Sequence, residues 1–227
     1  DSHCNIVRCW GGNVYEDDAF FDLCDEYGLL VWQDFMFGCA MYPQGPAFLA
    51  EVRREAEAII RKLRRHPSLA LWAGDNEIDQ FVYGRYPVPT VLPSDNLISR
   101  RVLKEAVAQH DPYRSYLPSS PFIPDELHLQ RRERDTPEQH LWGPRGYFKD
   151  DFYARNTAIF ASEIGYHGMP AVASLRQFLS PAKVWGAYNN DEWILHAASF
   201  DDRADGPMGT RNLLMRSQVQ HLFGDSA

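Results

Sequence analysis

Two glutamates carry the chemistry that this sequence offers. Glu77 closes the run SLALWAGDNE (residues 68–77), and Glu163 sits inside FASEIGYHGMP (residues 160–170). The first run is apolar enough for a buried strand, yet it ends on Asp75, Asn76 and Glu77. An ionised carboxylate buried without a partner is costly or changes its pKa, so such a cluster needs a reason. Two strand-end carboxylates suit glycoside hydrolysis. In a retaining enzyme they stand about 5 to 5.5 Å apart, one acting as acid/base and the other as nucleophile. The two roles require opposite pKa shifts. Glu163 must be ionised to attack, and Arg8, at an earlier strand end, is the cation expected to hold its pKa down. Glu77 must start protonated, with the apolar surroundings of Trp72 and the charge of Glu163 raising its pKa.

Positioning those side chains takes a scaffold that brings strand ends together. Strands are expected at NIVRCW (5–10), LLVWQDF (29–35), LALWAG (69–74), SYLPSS (115–120), QHLWG (139–143) and AIFASEIG (158–165). Between them lie amphipathic stretches: residues 16–28, with acids in the first turn and Gly28 as the stop; residues 47–67, halted by Pro67; and residues 94–112, with Ser94 as the expected N-cap. Residues 121–139 hold prolines and no convincing helix, so a long loop is expected there, and residues 183–191 are too polar at their end to count as a further strand. The strands are apolar on both faces, as parallel strands covered by helices must be. Repeats of roughly 30 residues in a barrel of about 250 point to a (β/α)8 TIM-type barrel. Glu77 and Glu163 are about three such repeats apart, far enough round a ring of eight to face each other across its C-terminal mouth. Arg8, Trp10, Gln33, Asp34, Asn76, Ser119, Ser120, His140 and Trp142 fall at or just past strand ends too, where barrel enzymes build their sites.

Composition narrows the class. At 227 residues and 44% hydrophobic, the chain can bury a core, and no apolar run approaches the roughly 20 residues of a spanning helix. A formal net charge of −8 argues against nucleic acid as a partner, and the basic run Arg61, Lys62, Arg64, Arg65 reads as one solvated helix face. No signal peptide is visible, and the compartment stays open. Cys4, Cys9, Cys24 and Cys39 show no C-x-x-C spacing and read as buried small hydrophobes. His66, His110, His128, His140, His167 and His196 lack H-x-x-x-H spacing, so neither a metal nor a cofactor is expected.

Taken together, NIVRCWGGNVYEDDAFFDLCDEYGLLVWQDFMFGCAMYP, HPSLALWAGDNE, YLPSSP, HLWG and FASEIGYHGMP resemble the catalytic barrel of family 2 glycoside hydrolases, in the β-mannosidase branch. The resemblance runs from about Asn5 to Pro170. It implies that Glu77 is the acid/base and Glu163 the nucleophile, that Asn76 bonds the sugar 2-OH, that Arg8 supports the nucleophile, and that Trp10 and Trp142 shape the sugar subsite. Asp34 and Tyr147 join these as further substrate-binding candidates. The chain departs from the family pattern at Asp75, where Asn is usual, at Asn13, where Gly is common, and at Ile164, where Phe is usual. Asp75 is expected to raise the pKa of Glu77 further. The resemblance also implies that residues 1–227 form a single catalytic barrel fragment. Its first and last strands and the family's accessory β-sandwich domains are then expected outside this chain.

The expected activity is that of a retaining exo-β-mannosidase acting on a glycoside or oligosaccharide, its partners being that substrate and the remaining domains of a parent chain. A sister exo-β-glucosaminidase would use the same machinery, with an extra carboxylate such as Asp75 or Asp34 for the amine. A non-catalytic sugar-binding or assembly fragment is the alternative from another class. Blander roles compete for individual residues: helix capping or an arginine partner for a strand-end glutamate, core packing for the tryptophans, and a turn for Ser119–Pro121.

Overall fold

A computed structural model describes residues 3–83, 91–143, 149–165, 168–185, 190–196 and 211–224. The chain divides into two compact units, Asp1–His140 with Ala158–Ser162, and Leu141–Thr157 with Glu163–Ala227.

In the first unit, strands β1 (Ile6–Cys9), β2 (Leu30–Asp34), β3 (Leu69–Ala73) and β4 (Ser115–Leu117) form one parallel sheet in sequence order. Helices lie between them in the chain, as parallel neighbours require. Helix α1 (Asp18–Tyr27) starts where the Asp17 side chain accepts the Phe20 N–H, and ends at Gly28, whose φ of 68° is open to glycine without strain. Helix α2 (Pro46–Leu63) buries Leu49, Val52, Ala56, Ile60 and Leu63, a three-and-four spacing that puts one stripe against the sheet. These residues join Phe21 and Cys24 of α1, Val31, Leu69 and Trp72 of the strands, and Ala106 and Val107 of α3 (Lys104–His110) in one apolar core. Trp72 stacks on Phe35 at 5.1 Å and gives its indole N–H to Asp111, so its one polar atom is satisfied inside that core.

Two local expectations are corrected. Ser94 does not cap the third helix. It lies in a single 3-10 turn, Pro93–Asp95, and the helical run begins as a widened π-type turn over Ile98–Leu103 that leads into α3. Asn96 starts it instead, its side chain accepting the Ser99 N–H and its carbonyl the Arg100 N–H. The stretch expected to be a long loop contains the five-residue helix α4 (Asp125–Leu129) and a 3-10 turn at Glu133–Asp135. Strands β5 (Glu138–Leu141) and β6 (Phe160–Ile164) form a separate two-stranded sheet. Ile159, Phe160 and Ile164 are exposed.

The second unit contains α5 (Asp151–Ala154), α6 (Val172–Leu175), α7 (Asp191–Leu195) and α8 (Arg211–Phe223). Leu175, Leu179, Val184 and Trp193 make its core. The Trp193 indole N–H donates to the Lys183 carbonyl, and Asn190 caps α7 through the Trp193 N–H. Among the described residues no helix is long and apolar enough to cross a membrane.

The α2 stripe sets the first prediction. Ile60 is fully buried, so Ile60→Ala is expected to lower the unfolding free energy of the intact protein by about 2–5 kcal/mol, whereas Asp17→Ala, which loses one cap, costs about 1 kcal/mol. Urea titrations of the two variants check that order.

Candidate active site

Past its last residue, β3 does not simply end. Asn76 continues the parallel ladder as a bridge residue to Gly38 on one side and Ser120 on the other. Its N–H donates to Phe37 O at 2.9 Å and its carbonyl accepts the Cys39 N–H at 2.9 Å. Glu77 N–H in turn donates to Ser120 O at 2.8 Å. Two residues of this stitched rim, Cys39 and Glu77, have positive φ, 50° and 57°, a left-handed conformation that costs a non-glycine residue energy and is kept only where surrounding bonds impose it. Gly11 is required at the same rim, because a Cβ there would stand 2.6 Å from Phe37 O.

The side chains above this rim form one hydrogen-bonded cluster. Arg8 reaches Asp34 through Nε at 3.3 Å and Nη2 at 2.8 Å, and Nη2 also donates to Asn76 Oδ1 at 2.8 Å. Asp34 additionally accepts the Trp32 indole N–H at 2.8 Å and the Gly11 N–H at 3.0 Å. Burial pushes the Asp34 pKa up, and the Arg8 charge together with these donors pulls against it without bringing it back to the usual value. Four hydrogen bonds, two of them from a guanidinium, nevertheless suit a carboxylate. Asp34 is therefore the anchor of Arg8, with both its oxygens occupied. The Arg8 guanidinium also lies 5.4 Å from the Trp32 ring.

Glu77 is held from two sides. Its Oε1 lies 2.9 Å from Nδ1 of His140, and its Oε2 lies 3.5 Å from Sγ of Cys39. Burial raises its pKa, but the hydrogen bond and charge interaction with His140, the Cys39 contact and the Arg8 charge outweigh burial, so the net shift is downward. This corrects the expected rise. Burial acts in the anticipated direction, but partners brought from β1, β5 and the loop after β2 dominate it. Cys39 is likewise not an inert core thiol: it is half-buried and also accepts from Asn76 Nδ2 at 3.3 Å, while Cys4 is exposed and only Cys9 and Cys24 are buried.

Asp75 does not face Glu77's partners. It is fully buried beneath the rim, accepting from Ser119 Oγ at 2.5 Å and Asn96 Nδ2 at 3.2 Å. Burial first, and then the charge of Asp79, raise its pKa to about 8. A largely protonated acid adds no negative charge beside Glu77, so the expected effect of Asp75 on its neighbour is absent from the causes of the Glu77 shift. Asp79 is itself paired with Arg100 at 2.5 Å.

Of the remaining expected site residues, Trp10 is 47% exposed, with its indole ring laid against Gly12. In the second unit Trp142 donates its indole N–H to Glu163 Oε1 at 2.8 Å, an interaction that fixes the carboxylate and the ring together. Tyr147 lies outside the described residues. Ser120 and His140 are expected from the sequence only as strand-end residues; the bond between His140 and Glu77, and Glu138 altogether, are not. The period of two along EQHL puts Glu138 and His140 on one strand face, and that pattern was the signal available.

Elsewhere in the first unit, Asp22, Asp25 and His66 bring potential metal-ligand atoms within 4.8 Å of one another, but Asp25 is already bound to the Ser68 N–H and to His66 Nδ1. A cavity of about 780 Å³ opens at the N-terminal ends of β3 and β4, lined among others by Arg64, His110, Tyr113 and Arg114. Its guanidiniums serve backbone carbonyls, Arg64 that of His110 and Arg114 those of Leu69 and His66, so it is structural in character.

No family model matches the sequence. The chain is 35% identical over 187 residues to β-mannosidase B of Thermothelomyces thermophilus, a match covering 77% of the chain and 22% of that protein. To the β-mannosidase of Mus musculus it is 33% identical over 215 residues, 89% of the chain and 24% of that protein. Its fold is similar to the crystal structure of β-D-mannosidase from Dictyoglomus thermophilum, with a TM-score of 0.68 and 36% identity over 79% of the chain and 22% of that structure. The chain thus spans about a quarter of the length of the relatives it matches.

The buried acid beneath the rim gives a stability prediction. Because its folded pKa of about 8 exceeds the ordinary carboxyl value of 3.8, the folded state binds the extra proton between those two limits. The contribution of Asp75 is therefore intact at acidic pH and is lost as pH rises through that window. Asp75→Asn, which is always neutral, is expected to raise Tm at pH 8, to leave it nearly unchanged at pH 4.5, and to flatten the curve between. Thermal melts across that range check it, and an Asn variant less stable than wild type at pH 8 would contradict it.

Proposed function

Since this chain belongs to the β-mannosidase branch of the family 2 glycoside hydrolases, we propose that it supplies most of the catalytic (β/α)8 barrel of a retaining exo-β-mannosidase. The barrel itself, the other domains of a parent protein and the release of terminal β-D-mannose are parts of this proposal. The single observation that carries it is the rim on which Asn76 and Glu77 are pinned at the C-terminal end of a parallel strand, with Arg8 and His140 converging on them. Open active-site ends of parallel α/β sheets lie on that side.

In the proposed double displacement, the Glu163 carboxylate attacks C1 of the mannoside while Glu77 gives its proton to the glycosidic oxygen, and the C1–O bond breaks. Glu77, now a carboxylate, takes a proton from water as that water attacks C1 and frees Glu163. Trp142 steadies Glu163 through its indole N–H. Asn76, with its oxygen held by Arg8 and one amide N–H on the Cys39 sulfur, keeps its second N–H for a sugar hydroxyl, and the exposed ring of Trp10 offers a stacking platform. A mannoside is favoured over an aminosugar because the two acids available for an amine, Asp34 and Asp75, are buried with their oxygens bonded within the protein.

The two glutamates are separated by their response to leaving groups. In the intact protein, Glu163→Gln is expected to abolish turnover of every β-mannoside, whatever its aglycone. Glu77→Ala should lose roughly 10²–10⁴ in rate on poor leaving groups, yet glycosylate rapidly from a dinitrophenyl mannoside and then stall. Azide should restore its turnover and yield the β-mannosyl azide. An α-azide, or no turnover of any glycoside by wild type, would overturn the assignment.

A further inference from the structure

We propose that His140 is a positioning residue for Glu77: its buried imidazole pins one carboxyl oxygen, Oε1, and so reserves Oε2 as the oxygen that exchanges the proton. This rests on Glu77 being the acid/base.

The tautomer follows from what surrounds the ring. Nε2 of His140 lies 2.9 Å from the Ser120 hydroxyl and 3.3 Å from Nη1 of Arg8. An ionised carboxylate oxygen can only accept, so the ring nitrogen facing Glu77 Oε1 at 2.9 Å, Nδ1, carries a proton directed at it. The ring cannot swing away, because the His140 side chain is fully buried. Its far side is braced by Glu138, which accepts from the Ser120 hydroxyl at 2.8 Å, from the Phe122 N–H at 3.3 Å and from the Ser162 hydroxyl. Ser120 therefore stands between Glu138 and His140, and its backbone carbonyl takes the Glu77 N–H. Main chain and side chain of Glu77 are thus fixed by the same pair of strand ends.

The consequence is a division of labour between the two carboxyl oxygens. A proton on Oε1 would face the Nδ1–H and lose that bond, whereas Oε2 meets only the weak Cys39 thiol at 3.5 Å. The catalytic proton leaves from Oε2 to the glycosidic oxygen and returns to Oε2 from water, while the Nδ1 proton stays in place. The charged groups around Glu77 are Arg8 from β1, with Asp34 of β2 behind it, Cys39 from the loop after β2, and His140 and Glu138 from β5; Asp75 and Asp79 lie on its own segment. Among the donors that hold its pKa down, His140 contributes most.

The test is the pH profile of kcat/KM in the intact protein, measured with 4-nitrophenyl and 2,4-dinitrophenyl β-mannosides for wild type, His140→Leu and His140→Asn, with Glu77→Ala as the control. His140→Leu is expected to move the alkaline limb up by about one pH unit and to lower kcat on the poorer leaving group roughly ten- to hundredfold, with KM little changed and the dinitrophenyl burst retained. His140→Asn, whose amide N–H overlays the Nδ1–H, should return the limb most of the way to wild type. An unmoved limb, or an equal fall on both substrates in both variants, would show a merely structural histidine and overturn the proposal. If Glu77→Ala itself shows no dependence on leaving group, it is the role of Glu77 that fails, and the His140 proposal falls with it by a separable result.

Discussion

The constraint on which the first unit's chemistry depends is the continuation of main-chain pairing beyond the ends of its strands. A parallel sheet normally hands its chains to loops at the C-terminal edge, and loops are where position is lost. Here Asn76 pairs with Gly38 and Ser120 after β3 has formally ended. Three loops are therefore held as if they were sheet. That pairing lets Cys39 and Glu77 keep positive φ, since each left-handed residue costs on the order of 1–3 kcal/mol and relaxes unless its neighbours over-determine it. The strain is met by backbone bonds on both sides of the dipeptide, and the result is a glutamate whose Cα direction is set by the sheet.

Once the rim is fixed, the side chains above it are arranged by charge. Arg8 is the only group in the described cluster with donors to spare in several directions, and it distributes them among Asp34, Asn76 and His140. Each recipient is thereby given a defined orientation: Asp34 as counter-ion, Asn76 with its amide nitrogen turned outward from Arg8, His140 with its proton on the nitrogen nearest Glu77. A lysine would supply a point charge with no such fork, so the cluster depends on the planar guanidinium as much as on its charge. The acids below the rim are managed separately. Asp79 is given Arg100, whereas Asp75 has hydroxyl and amide donors but no cation of its own, and it is the one whose pKa rises to about 8.

The sequence disclosed the elements well and the electrostatics poorly. All six expected strands are present, because short apolar runs such as LALWA and LVWQD, each carrying a tryptophan, are marked off by polar and turn residues, which is local information. Glu77, Asn76 and Arg8 were legible for the same reason: polar residues at the ends of apolar runs stand out. What could not be read depends on contacts distant in sequence. The Glu77–His140 bond joins residues 63 positions apart, and it reverses the sign of the shift that the nearby tryptophan suggested. Cys39, judged from its type alone, was assigned to the core, and only the fold of the loop after β2 brings its sulfur to Asn76 and Glu77. The start of the third helix was misjudged because Ser94 and Asn96 are both acceptable caps, and the choice is made by Asp75, which already binds the Asn96 amide from a neighbouring loop.

A lowered pKa on a residue proposed to begin catalysis as an acid appears contradictory, and its resolution lies in what the site contains at each stage. The shift describes Glu77 with His140, Cys39 and Arg8 around it and solvent above it, its side chain still 17% exposed. A sugar seated over the site would remove that water, and desolvation, already the largest single influence on Glu77, favours the neutral acid further. The His140 contact opposes this at one oxygen only. After the first displacement, with the aglycone gone and water readmitted, the same contact favours the carboxylate that must accept a proton. A residue that serves as acid and then as base needs a pKa that follows the occupancy of the site. Burial supplies one direction of that travel, and the fixed imidazole of His140 supplies the other.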